Sequence, residues 1–247
     1  MLITSLEKFA LMGATWVLYV LVAMSALSIG IIVERWFYFR ARSGGADSLA
    51  DALLNALKRG DRRAAEQLLK SNRSIEAEVL LPVLDWLDGG PESVSEALEA
   101  SLIRKRSDLE RGLTWLGTLG NNAPFLGLFG TVIGIIQAFH MLGSSGAGGN
   151  QAAMGNVIVA ISEALIATGV GLVVALPAVV GYNLTQKRVS NVENNVQQIG
   201  KLLLALLKAD DKLVRDFRAL SEEPPASESE LANLEDGVAV AEQPEAS

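Results

Sequence analysis

GLTWLGTLGNNAPFLGLFGTVIGIIQAFHML, residues 112–142, and GNVIVAISEALIATGVGLVVALPAVVGYNLTQ, residues 155–186, decide the fold of this chain. Between Arg111 and Lys187 the one charged side chain is Glu163. A helix needs about 20 apolar residues to cross a bilayer core, and each stretch reaches that length. A third uncharged block runs from Phe9 to Val33. The three blocks predict transmembrane helices over roughly residues 12–36, 115–142 and 155–185. The expected fold class is an all-α integral membrane protein with three transmembrane helices. A cytoplasmic helical segment and a cytoplasmic extension of the third helix complete it.

Composition agrees. Half of the 247 residues are apolar, and they fall in blocks. The net charge of −7 belongs to the tail from Ser221 to Ser247, which holds eight acids and no Lys or Arg. Rich in Ser, Pro and Glu, that tail reads as disordered. Without cysteines the chain has no disulfides and no thiolate chemistry, and one His cannot build a histidine metal cluster. The first apolar block is too long for a signal peptide and lacks a basic start, so it is expected to remain as an anchor.

Orientation follows from Lys and Arg. Lys8 alone precedes the first helix, and the loop from Gly143 to Gln151 is uncharged. Basic residues crowd the segment from Arg35 to Arg111 and return at Lys187, Arg188 and Lys201. The N-terminus is therefore expected outside, with the 41–112 segment and the C-terminus in the cytoplasm. The expected division is 1–40, 41–112, 113–142, an external loop 143–154, 155–185, an amphipathic helix 186–220 and the tail 221–247.

The 41–112 segment reads as helical. Leu49, Leu53, Leu54 and Leu57 recur at helical spacing, Gly60-Asp61 breaks and caps, and Gly89-Gly90-Pro91 makes a turn. From about Glu92 a helix is expected to run on into the second span. Past the third span, Val189, Val192, Val196, Ile199, Leu203 and Leu206 repeat as a heptad seam. Association between copies and packing on the chain's own cytoplasmic helices both fit this pattern. No nucleotide loop, zinc spacing or nucleophile motif is present, so no enzyme activity, catalytic residue, cofactor, metal or nucleic-acid partner is expected.

The two long spans share a design. Gly127, Gly130 and Gly134 line one face of the second, and Ala164, Ala167, Gly171 and Ala175 line the third. Small residues let helices approach closely in lipid. Pro124 and Pro177 each remove a backbone donor and are read as kinks. Counting from Gly155 at ~1.5 Å per residue, Glu163 lies about 12 Å in and Thr168 about 20 Å in. Thr131 sits near the middle of its own span. A carboxylate in such a stretch is a functional candidate by default. A lone threonine usually bonds its own helix, but two at matched depth on small-residue faces suggest a shared role.

Ala123-Pro124-x-x-Gly127-Leu128-x-Gly130-Thr131-Val132-x-Gly134 and Ile161-Ser162-Glu163-Ala164-Leu165-Ile166-Ala167-Thr168-x-x-Gly171-Leu172-x-Val174-Ala175-x-Pro177-Ala178 closely resemble the MotA/TolQ/ExbB proton-channel family. Three spans look like its TolQ/ExbB branch. The resemblance implies a stator-like subunit of the bacterial inner membrane, assembled as a homo-oligomer, a pentamer, around a single-span ExbD/TolR-like partner. That partner's membrane Asp would carry the proton, with Thr131, Thr168 and Glu163 on the pathway. A periplasmic or outer-membrane protein would receive the work, in transport, envelope maintenance or gliding motility. A non-conducting scaffold subunit and a permease subunit are the alternatives. Depth places Glu163 outward of the threonines, at the channel mouth or a subunit contact.

Overall fold

The computed structural model describes residues 15–42, 44–144, 151–209 and 215. The middle of the external loop, the continuation of the seam through Leu213, Phe217 and Leu220, and the acidic tail lie outside the described residues. Among the described residues there is no strand. The helices are α1 (Thr15–Ala41), α2 (Ala46–Lys58), α3 (Arg62–Ser71), α4 (Ile75–Leu80), a 3-10 helix (Leu81–Gly89), α5 (Gly90–Leu109), α6 (Leu113–Ser144) and α7 (Gln151–Ala209). Three helical stretches are long and apolar enough to cross a membrane, within Thr15–Lys58, Leu113–Ser144 and Met154–Ala209. The protein is an all-α integral membrane protein. It divides into two compact units, Met1–Ser43 with Arg104–Asn194 and Gly44–Ile103 with Asn195–Ser247.

In the first unit α1, α6 and α7 pack together. Val17 and Leu21 of α1 meet Ala123 and Ile133 of α6 and Val174 and Ala175 of α7 in one core. Trp16 stands edge-on to Phe129 with ring centroids 6.2 Å apart. Many large apolar side chains of these helices remain exposed, among them Tyr19, Phe125, Phe139, Leu165 and Val173. Water would penalise such a surface, whereas lipid does not.

The expected run of α5 into α6 does not occur. Gly112 adopts φ +81°, a left-handed conformation that breaks the helical path. The Leu113 N–H then bonds the Glu110 carbonyl at 3.0 Å across the turn. Arg35 of α1 braces the junction. It is 3% exposed, and its Nη1 donates to the Asp108 carbonyl at 3.0 Å. That carbonyl is in the last turn of α5, where helix geometry leaves acceptors without partners. Arg35 also pairs with Glu34 at 2.9 Å and lies over the Tyr38 ring. Sequence periodicity missed this break because apolar spacing continues through Gly112.

The second unit is built on local caps. Asp61 Oδ1 accepts from the Ala64 N–H at 2.8 Å to start α3, and Ser74 Oγ accepts from the Ala77 N–H at 3.2 Å to start α4. Buried Leu49, Leu53, Leu57, Ala65 and Leu69 hold α2 and α3 together with Val83, Leu84 and Leu87. The seam on α7 is buried at Val196, Ile199 and Leu203, then continues at Leu207, not Leu206. The 4-4 spacing at its end suits a straight 3.6-residue helix better than a heptad. Gly200 lies directly against Leu98 of α5. Within this unit the seam therefore packs on the chain's own helices. Asn195 Nδ2 also donates to buried Glu76 Oε1 at 2.9 Å.

A Cβ at Gly112 would sit 2.9 Å from Ile31 Cγ2 besides facing a positive φ. Gly112→Ala is expected to destabilise the purified protein by at least about 1–2 kcal/mol, the cost of a left-handed L-residue. Denaturation in mixed detergent micelles measures it. Adding Ile31→Ala relieves the contact but not the backbone term, so stability is expected to stay below wild type.

Candidate functional site

Helices α6 and α7 approach closely enough that their backbones touch. A Cβ added to Gly127 would lie 2.9 Å from the Ala167 carbonyl oxygen and 3.2 Å from Gly171 Cα. One added to Gly171 would lie 2.7 Å from the Ala123 carbonyl oxygen. Gly134 faces Ala164 and Ala160 in the same way, and Gly130 faces Ala167 and, from α1, Val17. Nearer the basic end Gly120 meets Val179, and Gly117 meets Tyr182. This order fixes an antiparallel register. Ala160, Ala164, Ala167 and Ala175 are all buried.

Thr168 sits directly against Gly127. Its Oγ1 donates to the Gly127 carbonyl at 3.0 Å, a bond between helices. The contact is possible because Gly127 has no side chain to screen its own oxygen. In a regular α-helix that carbonyl also accepts the Thr131 N–H, and a carbonyl has two lone pairs for two donors. Thr131 Oγ1 instead donates along its own helix, to the Leu128 carbonyl at 2.6 Å. The two threonines thus share one acceptor group, through a backbone N–H and through a hydroxyl. Both side chains are half-buried.

They also share a side. Residues advance about 100° each around a helix. On α6, Gly130 faces α1 and α7, Gly127 and Gly134 face α7, and Thr131 follows about 100° beyond Gly130. On α7, Gly181 meets Ile32 of α1, and Thr168 lies about 140° from Gly181 beyond the buried alanine stripe. Both hydroxyls therefore occupy the side of the α6–α7 seam turned away from α1.

Glu163 does not join them. It lies 18 residues from Gly181, five complete turns, and so falls on the line of α7 that faces α1. Its carboxylate is exposed and, among the described residues, has no hydrogen-bond or ion-pair partner. It stands near the level of Gly134, one to two turns toward the loop end from Thr168. Pro124 and Pro177 lie inside helices that continue on both sides of them. Their missing donors free the Gly120 and Val173 carbonyls. The Gly127 carbonyl is the functional group that sequence reading missed; the one signal for it was the glycine opposite a threonine.

The MotA/TolQ/ExbB proton channel family matches residues 64–198 of the chain. TolQ of Pseudomonas aeruginosa is 42% identical over 96 residues, covering 39% of this chain and 40% of that protein. ExbB of Xanthomonas campestris is 43% identical over 101 residues, covering 41% and 38%. ExbB of Neisseria gonorrhoeae is 33% identical over 189 residues, covering 69% and 81%. The matched part of the chain thus spans about two fifths of the first two relatives and most of the third.

Since the Cβ of Gly171→Ala would meet backbone, the helices must separate. That variant is expected to lose roughly 1–3 kcal/mol, the usual cost of overpacking. Gly169 has open space around it, and Gly169→Ala is expected to be near neutral. Detergent denaturation of the pair checks this; equal effects at the two positions would contradict the close contact.

Proposed function

The chain belongs to the MotA/TolQ/ExbB proton channel family, and from that membership and the threonine seam we propose that it is the channel-forming subunit of a bacterial inner-membrane complex powered by the proton motive force. The observation that carries this reading is the Thr168 hydroxyl on the Gly127 carbonyl, level with Thr131 and on the same open side. A threonine hydroxyl stores no proton near neutral pH, but it can donate and accept hydrogen bonds. With its proton committed to Gly127, Thr168 Oγ1 keeps lone pairs free to accept from water or from a protonated carboxyl. A titrating acid must then arrive from elsewhere. We assign it to a membrane Asp on a single-span ExbD/TolR-like partner.

Each elementary charge crossing the membrane releases about 2.3 kcal/mol per 100 mV. Several such transfers would supply work on an envelope protein, in biopolymer transport, envelope maintenance or gliding. The Lys and Arg distribution supports an outside N-terminus and a cytoplasmic C-terminus. Copies of the chain would surround the partner, as a pentamer in the manner the family resemblance implies. Glu163, on the α1 side, would shape the outer mouth or a subunit contact.

One observation favours a second reading, a non-conducting scaffold. Both threonine hydroxyls already have backbone acceptors within the chain, so they could serve helix packing alone. Dye-monitored proton uptake by vesicles carrying the complex with its co-purified partner separates the two. Thr131→Val and Thr168→Val are expected each to cut uptake at least about tenfold, equivalent to ~1.4 kcal/mol in the barrier, while the complex still co-purifies. Wild-type uptake in both variants would take the threonines off the path, and an unsubstituted complex with no uptake above protein-free vesicles would establish the scaffold. Glu163→Gln is expected to keep uptake; its complete loss with assembly intact would make Glu163 a proton carrier.

A further inference from the structure

The basic end of α1 carries an exposed ring pair and an unopposed cation. Trp36 and Phe37 stand edge to face, both exposed, with ring centroids 4.9 Å apart. One turn past Trp36, exposed Arg40 lays its guanidinium over the Trp36 ring, 5.3 Å from the centroid. Among the described residues Arg40 has no acidic partner, and the Trp36 indole N–H has no acceptor. The one acid of α1, Glu34, is already paired with Arg35 at 2.9 Å.

Toward the start of α1 the same side is apolar and shallow. Ala26, Ile29, Gly30 and Val33 are exposed, and a Cβ added at Gly30 would meet nothing within 4 Å. At about 100° per residue, these four fall with Trp36, Phe37 and Arg40 inside roughly 120° of the helix surface. Ala26 and Gly30 form a trough that leads down to the Phe37 ring. From Ala26 to Trp36 the helix rises about 15 Å, half of a ~30 Å hydrocarbon core. Tryptophan gathers where hydrocarbon meets headgroup, and a guanidinium one turn beyond it lies among phosphates.

Trough, rings and guanidinium thus follow in the order of acyl chain, ester and phosphate. We propose that this face of α1 holds one anionic phospholipid of the leaflet at the basic end, with an acyl chain along Ala26 and Gly30 and its phosphate on Arg40. A planar guanidinium offers paired donors to two phosphate oxygens, and stacking on Trp36 holds that plane in place. The Trp36 N–H donates to the ester or phosphate oxygens at the same depth. Charge selects the headgroup. Arg40 is unopposed and Glu34 is engaged, so the ammonium of a zwitterionic lipid finds no carboxylate here, whereas a net negative headgroup is matched. The site takes no part in the proton path proposed above.

The chain has four tryptophans, so Trp36 can be made the sole indole by Trp16→Phe, Trp86→Phe and Trp115→Phe. This full-length variant is placed in phosphatidylcholine nanodiscs with a minor share of brominated phosphatidylglycerol or, in parallel, brominated phosphatidylcholine. Equal quenching of Trp36 is expected to need about fivefold less of the phosphatidylglycerol, the usual attraction of one basic residue to an anionic surface. Adding Arg40→Gln is expected to abolish that preference. No preference before the substitution would overturn the proposal in favour of an unselective interfacial belt. A preference that survives Arg40→Gln would overturn it in favour of a general pull by the basic end, and no quenching by either lipid in favour of a protein helix on this face. Should the threefold replacement not fold, native mass spectrometry of wild type and Arg40→Gln in mild detergent decides. Wild type is expected to keep an anionic phospholipid that the variant loses, and equal retention would overturn the site. Neither readout involves proton movement, so failure here leaves the channel reading standing.

Discussion

The first unit depends on one contact, the place where Gly127 of α6 and Gly171 of α7 meet backbone to backbone. No hydrophobic force draws helices together in lipid, so van der Waals contact and interhelical hydrogen bonds must hold them. A side chain at either position would push the axes apart. With the axes close, the Gly127 carbonyl falls within reach of the Thr168 hydroxyl. The same closeness fixes the antiparallel register, and the register sets Thr131 level with Thr168. It also decides which groups are left outside the seam, including Glu163 on the side of α1 and the exposed Thr114, Thr118 and Asn122 of α6.

At the other end of this unit a charged brace replaces close packing. Arg35 is buried, yet it is not simply an ion pair with exposed Glu34. Its bond to the Asp108 carbonyl closes off α5 where Gly112 turns the chain into α6. An arginine suits this place because it stays charged and presents several donors in a fixed plane. The second unit relies on neutral devices instead, with short caps at Asp61 and Ser74 and leucine packing around Leu53 and Leu57.

Much of this was legible in the residues. The three spans follow from charge-free blocks, and the small-residue faces follow from the spacing of Gly127, Gly130 and Gly134 against Ala164, Ala167 and Gly171. The family motifs lie on these same faces. Four features were not legible, each for a physical reason. The break at Gly112 is a matter of φ, and nothing in apolar periodicity records it. The heptad from Val189 describes a buried face without naming what buries it; against Leu98 it is the chain itself. Glu163 and Thr168 are five residues apart and look like neighbours in the sequence, but five residues make about 1.4 turns and leave them on different sides. The acceptor of the Thr168 bond is a backbone oxygen, which no letter marks.

The doubled use of the Gly127 carbonyl has a consequence for motion. Were the Thr168 hydroxyl turned away, the Gly127 carbonyl would still hold the Thr131 N–H of a regular helix, so no buried oxygen would be orphaned. Loss of the Thr168 bond alone would therefore leave the hydrogen bonding of α6 intact. The backbone of α6 thus offers the hydroxyl an acceptor that does not depend on it in return.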